Sequence, residues 1–256
     1  MNYRKIYFTA FLVIMVMTVV AQPKIIAHRG YWRTAGSAQN SMASFIKADS
    51  IGVFGSEMDT WLTKDNKLIV NHDKDFRGCD IEHSTKKVIT SIVLSNGENL
   101  PTLQQYLKLV KSKPNTRLIL EMKTIKTDER MALSVKKIVK ELKRYKLLER
   151  TNIIAFSLFA CKEFKKLLPD SKIYYLNGDL APAQIKELGL AGIDYSFKVM
   201  KTHPEWVKES HALGLEVNVW TVDTLEDLDY FTGLGVDYIT TNEPELFLKH
   251  LKGLAH

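Results

Sequence analysis

The chain reads as one α/β domain, a (β/α)8 barrel with a small insertion after the strand that ends in His72-Asp73. Three observations predict this. From Arg117 onward, short apolar or β-branched runs alternate without a break with amphipathic helical stretches. Gly189, Gly214 and Gly235 each fall between a helical stretch and the next strand, where a left-handed helix cap is wanted. The 235 residues that follow the first 21 suit a single barrel-sized domain. An open dinucleotide-binding sheet would need a glycine-rich turn after the first strand, and His28-Arg29-Gly30-Tyr31 is not one.

The elements follow in order. Lys24 to Ala27 is an apolar first strand, and Asn40 to Ser50 an amphipathic helix. Glu57 to Leu62 and Lys67 to Asn71 are two short strands joined by the turn-forming Thr63-Lys64-Asp65-Asn66, which predicts a hairpin. Residues 73–100 are polar and irregular and form the insertion, and Pro101-Thr102-Leu103 opens a helix through Val110. Strand and helix then alternate: Arg117 to Met122 and Glu129 to Leu148; Asn152 to Phe156 and Ala160 to Leu168; Lys172 to Leu176 and Pro182 to Leu188. Ile193 to Phe197 and Pro204 to Leu213, Glu216 to Thr221 and Leu225 to Leu234, and Tyr238 to Thr240 and Pro244 to Leu251 complete the pattern.

Residues 1–21 stand apart. Arg4 and Lys5 precede the apolar run Ile6 to Val20, and Val19-Val20-Ala21 is a small-residue cleavage site. This predicts a signal peptide, a domain over residues 22–256, and export to the periplasm or outside the cell. The rival is an uncleaved anchor, but a full span takes about 20 apolar residues and this run is shorter. After cleavage no stable membrane span is expected. Net charge is +7, or +5 without Arg4 and Lys5, which suits an anionic substrate or a membrane surface. No basic stripe interleaved with aromatics appears, so nucleic acid is not an expected partner. Cys79 and Cys161 make either one disulfide or two buried thiols.

Chemistry-bearing residues cluster at strand ends. Glu57 and Asp59, two apart on a strand, point to one face, where like charges repel unless a cation or proton joins them. A hard divalent ion, Mg2+ or Ca2+, is the economical solution, and Glu121 could add a third carboxylate. The hairpin returns His72 beside Glu57 or Asp59, and His28 ends the first strand. Two imidazoles near a metal-bound phosphate suit general acid and base roles better than ligation of such an ion. Arg29 and Lys123 either grip a phosphate or pair with the neighbouring carboxylates. Asn218 and Trp220 share a face, with Trp220 a candidate cleft wall, and Tyr31-Trp32 and Phe54 are candidates for an exposed apolar rim.

Taken together, His28-Arg29-Gly30, Gln39-Asn40-Ser41, Glu57-x-Asp59, His72-Asp73, Leu100-Pro101-Thr102-Leu103, Glu121-x-Lys123 and Asn218-x-Trp220 resemble the glycerophosphodiester phosphodiesterases over nearly the whole domain. The resemblance implies a TIM barrel and one Mg2+ or Ca2+ on Glu57, Asp59 and Glu121. It implies His28 and His72 as the acid/base pair, Arg29 and Lys123 on the substrate phosphate, and Asn40 and Trp220 in the substrate cleft. The implied reaction is hydrolysis of a small-molecule glycerophosphodiester to glycerol phosphate and an alcohol. The family usually reads Glu-Asn-Thr where this chain has Gln39-Asn40-Ser41, which removes a negative charge near the metal. Two other readings stand beside it: a phosphatidylinositol- or lysolipid-cleaving enzyme on the same barrel, marked by an apolar rim, and a non-catalytic exported anion-binding protein, marked by a broken set of site residues.

Overall fold

A computed structural model describes residues 22–254. Residues 1–21, where the sequence predicts a signal peptide, lie outside the described residues. Strand β1 (Lys24–Ala27) leads to helix α1 (Met42–Ser50), and β2 (Gly55–Leu62) turns back as β3 (Leu68–Val70). The insertion holds β4 (Asp75–Phe76), β5 (Cys79–Asp80) and α2 (Lys86–Ile89), and α3 (Leu103–Ser112) returns the chain to β6 (Arg117–Met122). Then come α4 (Asp128–Tyr145), β7 (Thr151–Ala155), α5 (Leu158–Leu167), β8 (Ile173–Tyr175), α6 (Pro182–Glu187) and β9 (Gly192–Ser196). The last elements are α7 (Phe197–Thr202), α8 (Glu205–Ala212), β10 (Glu216–Trp220), α9 (Leu225–Leu234), β11 (Tyr238–Thr241) and α10 (Pro244–Leu254).

The strands run in the order β1-β11-β10-β9-β8-β7-β6-β2, and a β1–β2 pairing closes the ring; all eight pairings are parallel. Strand β3 hangs antiparallel on β2, with Thr60 opposite Val70, as the hairpin predicts. The main core lies between sheet and helices, around Phe45, Leu107, Ile138, Phe164 and Phe231. Ile26, Ile119, Ile154, Tyr174 and Tyr238 form a separate cluster that fills the barrel interior below the site. Removing one large core side chain such as Phe164 is expected to cost about 3–5 kcal/mol.

Local chemistry sets the helix starts. Ser41, Thr102, Thr127, Ser157, Ser196 and Thr224 each accept a hydrogen bond from the backbone N–H three residues on, and Thr102 with Gln105 forms a full capping box. Gly189, Gly214 and Gly235 have φ of 66°, 70° and 82°, the left-handed caps their positions predict.

Three local expectations differ from the structure. Helix α1 starts at Met42, because Asn40 sits at φ 59° and turns its side chain inward before Ser41 caps the helix. Residues 73–100 are not merely irregular: Ile81, Ile89, Leu94 and Leu100 pack with Ala38, Trp61 and Ile69 into a small core of their own. Its strands and helix are two and four residues long, too short for any periodicity to show. Phe197 opens α7 instead of ending a strand, because Ser196 caps the backbone N–H of Val199. Cys79 and Cys161 are both free thiols, and burial pushes the Cys161 thiol up to about 12.

Candidate active site

The strands deliver their functional groups to the C-terminal mouth of the barrel, the end at which barrels of this kind carry chemistry. Register brings the carboxylates together. On β2, Asp59 lies opposite Glu121 of β6, and Glu57 one step below it on the same face. One oxygen from each of the three lies within 4.8 Å of the others. Glu57, Asp59 and Glu121 are all buried.

Each acid feels a different field. Burial, then the charges of Asp59 and Glu121, push the Glu57 carboxyl well above the ordinary range. Burial and Asp59 raise Glu121 to about 7 against the pull of Lys123. Burial would raise Asp59 too, but Lys123, His72, Asn40 and Arg29 outweigh it and hold that carboxyl below its usual value. The cluster therefore has one stably ionised acid and two whose ionisation calls for more positive charge.

Backbone and amide groups pin the cluster. The Arg29 N–H donates to Glu57 Oε2 at 2.7 Å, a geometry reached with Arg29 at φ 56°. Gly30 follows at φ 76°, and a Cβ there would meet Ser44 Oγ at 2.3 Å, so only glycine lets this loop cross α1. Asn40 donates from Nδ2 to Asp59 Oδ2 at 2.7 Å and accepts from the Asp59 N–H at 3.1 Å. It is buried behind Asp59 and not among the residues lining the cleft, so its contact is with the acid rather than the cleft-lining place expected of it.

Lys123 Nζ lies 3.0 Å from Asp59 Oδ1 and 2.7 Å from Glu121 Oε1. Both contacts are short ion pairs. Burial would lower the Lys123 ammonium, but Asp59 and Glu121 raise it above its ordinary value. Glu57 Oε1 is buried with no partner among the described residues. A buried carboxylate oxygen left unpaired among three acids is the arrangement a hard cation with oxygen ligands would complete. The pairing alternative for Lys123 is thus realised here, and Arg29 is shared: its guanidinium donates to Gln39 Oε1 at 2.7 Å and its Nε stands 4.0 Å from Asp59.

The histidines have different partners. His28 Nδ1 is 3.0 Å from Asn242 Oδ1, and burial and Arg29 lower its pKa to about 4. His72 Nδ1 is 2.7 Å from Asp73 Oδ1; burial lowers this imidazole as well, with Asp59 opposing. The hairpin places Asn71, the neighbour of His72, with its N–H on the Asp59 carbonyl at 3.2 Å.

A cleft of about 100 Å3 joins these groups. His28, Arg29, Glu57, His72, Glu121 and Lys123 line one side, and Ile154, Phe156, Leu176 and Trp220 the other. A larger groove of about 890 Å3 runs along α3, but none of these groups lines it. Asn218 reaches inward below Trp220, its Nδ2 2.9 Å from both Asp194 Oδ1 and Thr240 Oγ1.

Three residues near the site escape a strand-by-strand reading: Asp194, Asp223 and Asn242. Asp194 hides in the short run Gly192–Ser196, and Asn242 lies just past the last strand. Position beyond a barrel strand was the usable signal for Asn242. Of the candidate rim residues, Phe54 precedes β2 at the opposite end of the barrel, against Tyr238 and Lys24. Tyr31 and Trp32 spend their polar atoms on Glu245 and Asn242.

Known proteins resemble this chain over most of its length. A glycerophosphodiester phosphodiesterase structure from Parabacteroides distasonis is 48% identical, with a TM-score of 0.91 over 92% of this chain and 99% of that one. A glycerophosphodiester phosphodiesterase of Caldanaerobacter subterraneus subsp. tengcongensis is 29% identical over 88% of this chain and 96% of its own length. At 19% identity and a TM-score of 0.78, over 90% of this chain and 97% of that one, a phosphodiesterase of Oleispira antarctica solved with its product sn-glycerol-3-phosphate shares the fold. The model of the glycerophosphoryl diester phosphodiesterase family matches residues 28–246, a span that runs from the first histidine past the last barrel strand, and the chain belongs to that family of enzymes.

Proposed function

We propose that this enzyme hydrolyses water-soluble glycerophosphodiesters to glycerol phosphate and an alcohol with the help of one divalent cation, Mg2+ or Ca2+. The observation that carries the reading is the unpartnered, buried Glu57 oxygen in a cluster of three carboxylates, flanked by two histidines and two cations around one cleft. Glu57, Asp59 and Glu121 would hold the ion. When bound, it supplies positive charge that polarises a phosphoryl oxygen and offsets charge developing there. The product bound by the Oleispira antarctica protein agrees with a glycerol phosphate product here.

The chain's own residues supply the rest. Arg29 and Lys123 reach the cleft and offer N–H donors to the phosphate oxygens that the ion leaves free. His28 and His72 face the same cleft and divide the proton transfers, one taking a proton from the attacking hydroxyl and the other giving one to the leaving oxygen. With water as the attacking hydroxyl, glycerol phosphate and the alcohol form in one step; with the substrate's own glycerol hydroxyl, the alcohol leaves first and water then opens the cyclic phosphate to glycerol phosphate, the two histidines exchanging roles. Ile154, Phe156, Leu176 and Trp220 exclude solvent, which strengthens every charge interaction opposite them. Residues 1–21 serve as an export signal, so protein recovered outside the cytoplasm should begin at Gln22 on N-terminal sequencing.

The deciding experiment strips the enzyme with EDTA and adds back Mg2+, Ca2+ or Mn2+ against a panel of glycerophosphodiesters. Activity lost on stripping and restored by one of these ions is expected. Full turnover of the panel in EDTA would overturn the metal requirement, and no turnover with any ion would overturn the substrate class.

A further inference from the structure

We propose that Asn242, held by Asp223, is a positioning residue that fixes His28 with its ring proton on Nδ1, leaving Nε2 as the proton acceptor in the cleft. The proposal rests on the reading of His28 as one of the two proton-transfer groups.

The amide of Asn242 has only one orientation that its neighbours accept. Its Oδ1 lies 2.9 Å from Trp32 Nε1, an indole nitrogen that donates and never accepts. Its Nδ2 lies 2.8 Å from Asp223 Oδ2, a carboxylate oxygen that accepts. The Asp223 carboxylate is fixed in turn, since its Oδ1 accepts the Asn242 backbone N–H at 2.8 Å and Arg33 stands 3.5 Å from its Oδ2. Turning the amide over would set an N–H against an N–H at Trp32 and an oxygen against an oxygen at Asp223. The oxygen therefore faces His28, and Nδ1 at 3.0 Å must donate to it. A neutral imidazole carries one N–H, so Nε2 keeps its lone pair.

The partner of His28 is a neutral amide, whereas the partner of His72 is the carboxylate of Asp73. An amide orients the ring without adding a negative charge beside the acids of the cluster. Asn242 follows β11 directly and Asp223 follows β10, so two adjacent strand ends build the support while β1 carries the histidine.

Two measurements test this. The first is a double-mutant cycle read with bis(4-nitrophenyl) phosphate on the metal-loaded enzyme. Asn242→Ala should lower kcat about 10- to 100-fold with little change in KM. In a His28→Ala background the same substitution should cost nothing further. An equal loss in both backgrounds would show that Asn242 does not act through His28, and overturn the proposal. The second uses 15N-histidine-labelled protein in EDTA and needs no turnover, so it stands even if the substrate class is wrong. His28, assigned by loss of its signals in His28→Ala, should carry its proton on Nδ1 in the wild type and shift toward Nε2–H in Asn242→Ala. An Nε2–H tautomer in the wild type would sink the idea. Asp223→Asn keeps shape and the backbone contact and is the variant to use if Asn242→Ala melts early; it should move the tautomer the same way, and an unmoved tautomer would remove Asp223 from the relay.

Discussion

The two halves of the barrel mouth are built from opposite materials. The strands from the first half of the chain, β1, β2 with its hairpin partner β3, and β6, bring His28, Arg29, Glu57, Asp59, His72, Glu121 and Lys123. The strands of the second half, β7, β8 and β10, bring Ile154, Phe156, Leu176 and Trp220. The charged half is held by short ion pairs and by hydrogen bonds from backbone and amide groups, and among the described residues leaves Glu57 Oε1 without a partner. The apolar half packs edge-to-face, with Phe156 and Trp220 5.6 Å apart. The lesson is a division of labour. Under the proposed function, the charged half would meet what all substrates of the class share, a phosphodiester, and the apolar half what differs between them.

The steepest test removes a carboxylate from the charged half. Asp59→Asn or Glu121→Gln should abolish tight metal binding in calorimetry. Losing several kcal/mol of transition-state stabilisation should also lower kcat/KM by on the order of 1,000-fold. Asp59→Asn should be the worse of the two, because Asp59 also anchors Lys123 and Asn40. Wild-type metal affinity in both variants would break the assignment of this half to cation binding. Next in size are His28→Ala and His72→Ala, each expected to lower kcat by roughly 100- to 10,000-fold while metal affinity holds. Near-normal turnover in either would take that histidine out of the chemistry.

Trp220→Ala acts on the other half and should sharpen the contrast. Deleting this wall should raise KM by about tenfold for substrates with an apolar or quaternary-ammonium alcohol, a loss of about 1–3 kcal/mol. It should raise KM less for the smallest alcohols, with kcat and metal affinity nearly kept. A uniform loss of kcat across head groups would instead tie Trp220 to the charged half.

The charged half was far more legible in the sequence than the apolar half, for a physical reason. Charged residues at strand ends are conspicuous because burying them is costly without a purpose, and two-residue spacing alone puts Glu57 with Asp59 and Glu121 with Lys123. Apolar wall residues are indistinguishable from core until the barrel closes, so Ile154, Phe156 and Leu176 carried no mark, and only Trp220 stood out. The contact of Asn40 with Asp59 was hidden for another reason: its left-handed backbone turns the side chain away from the helix it precedes. Gln39 reads in sequence as a missing charge near the metal. In the structure it faces Arg29, so the amide leaves that guanidinium with more of its charge for a phosphate than a glutamate would.

Asp194 is the exception that calibrates the comparison, a carboxyl set among the apolar half and buried to 1% exposure. Among the described residues its only side-chain partner is Asn218, and no cation stands beside it as Lys123 stands beside Glu121. Burial pushes it from 3.8 up to about 7, with Asn218 pulling the other way. A folded pKa above the unfolded one means the folded state binds the proton more tightly. The stability this contributes is fully present below the unfolded value near 3.8 and is lost as pH rises through about 7. Asp194→Asn keeps the oxygen that Asn218 bonds and removes the titration. Measured in EDTA, the variant should melt a few degrees higher than wild type at pH 8, since about 1 kcal/mol moves Tm by ~2–4 °C in a domain of this size. At pH 4 the two should melt together. A variant that is destabilised more at pH 8 than at pH 4 would show that Asp194 is charged and partnered in the folded protein, and so belongs with the charged half after all.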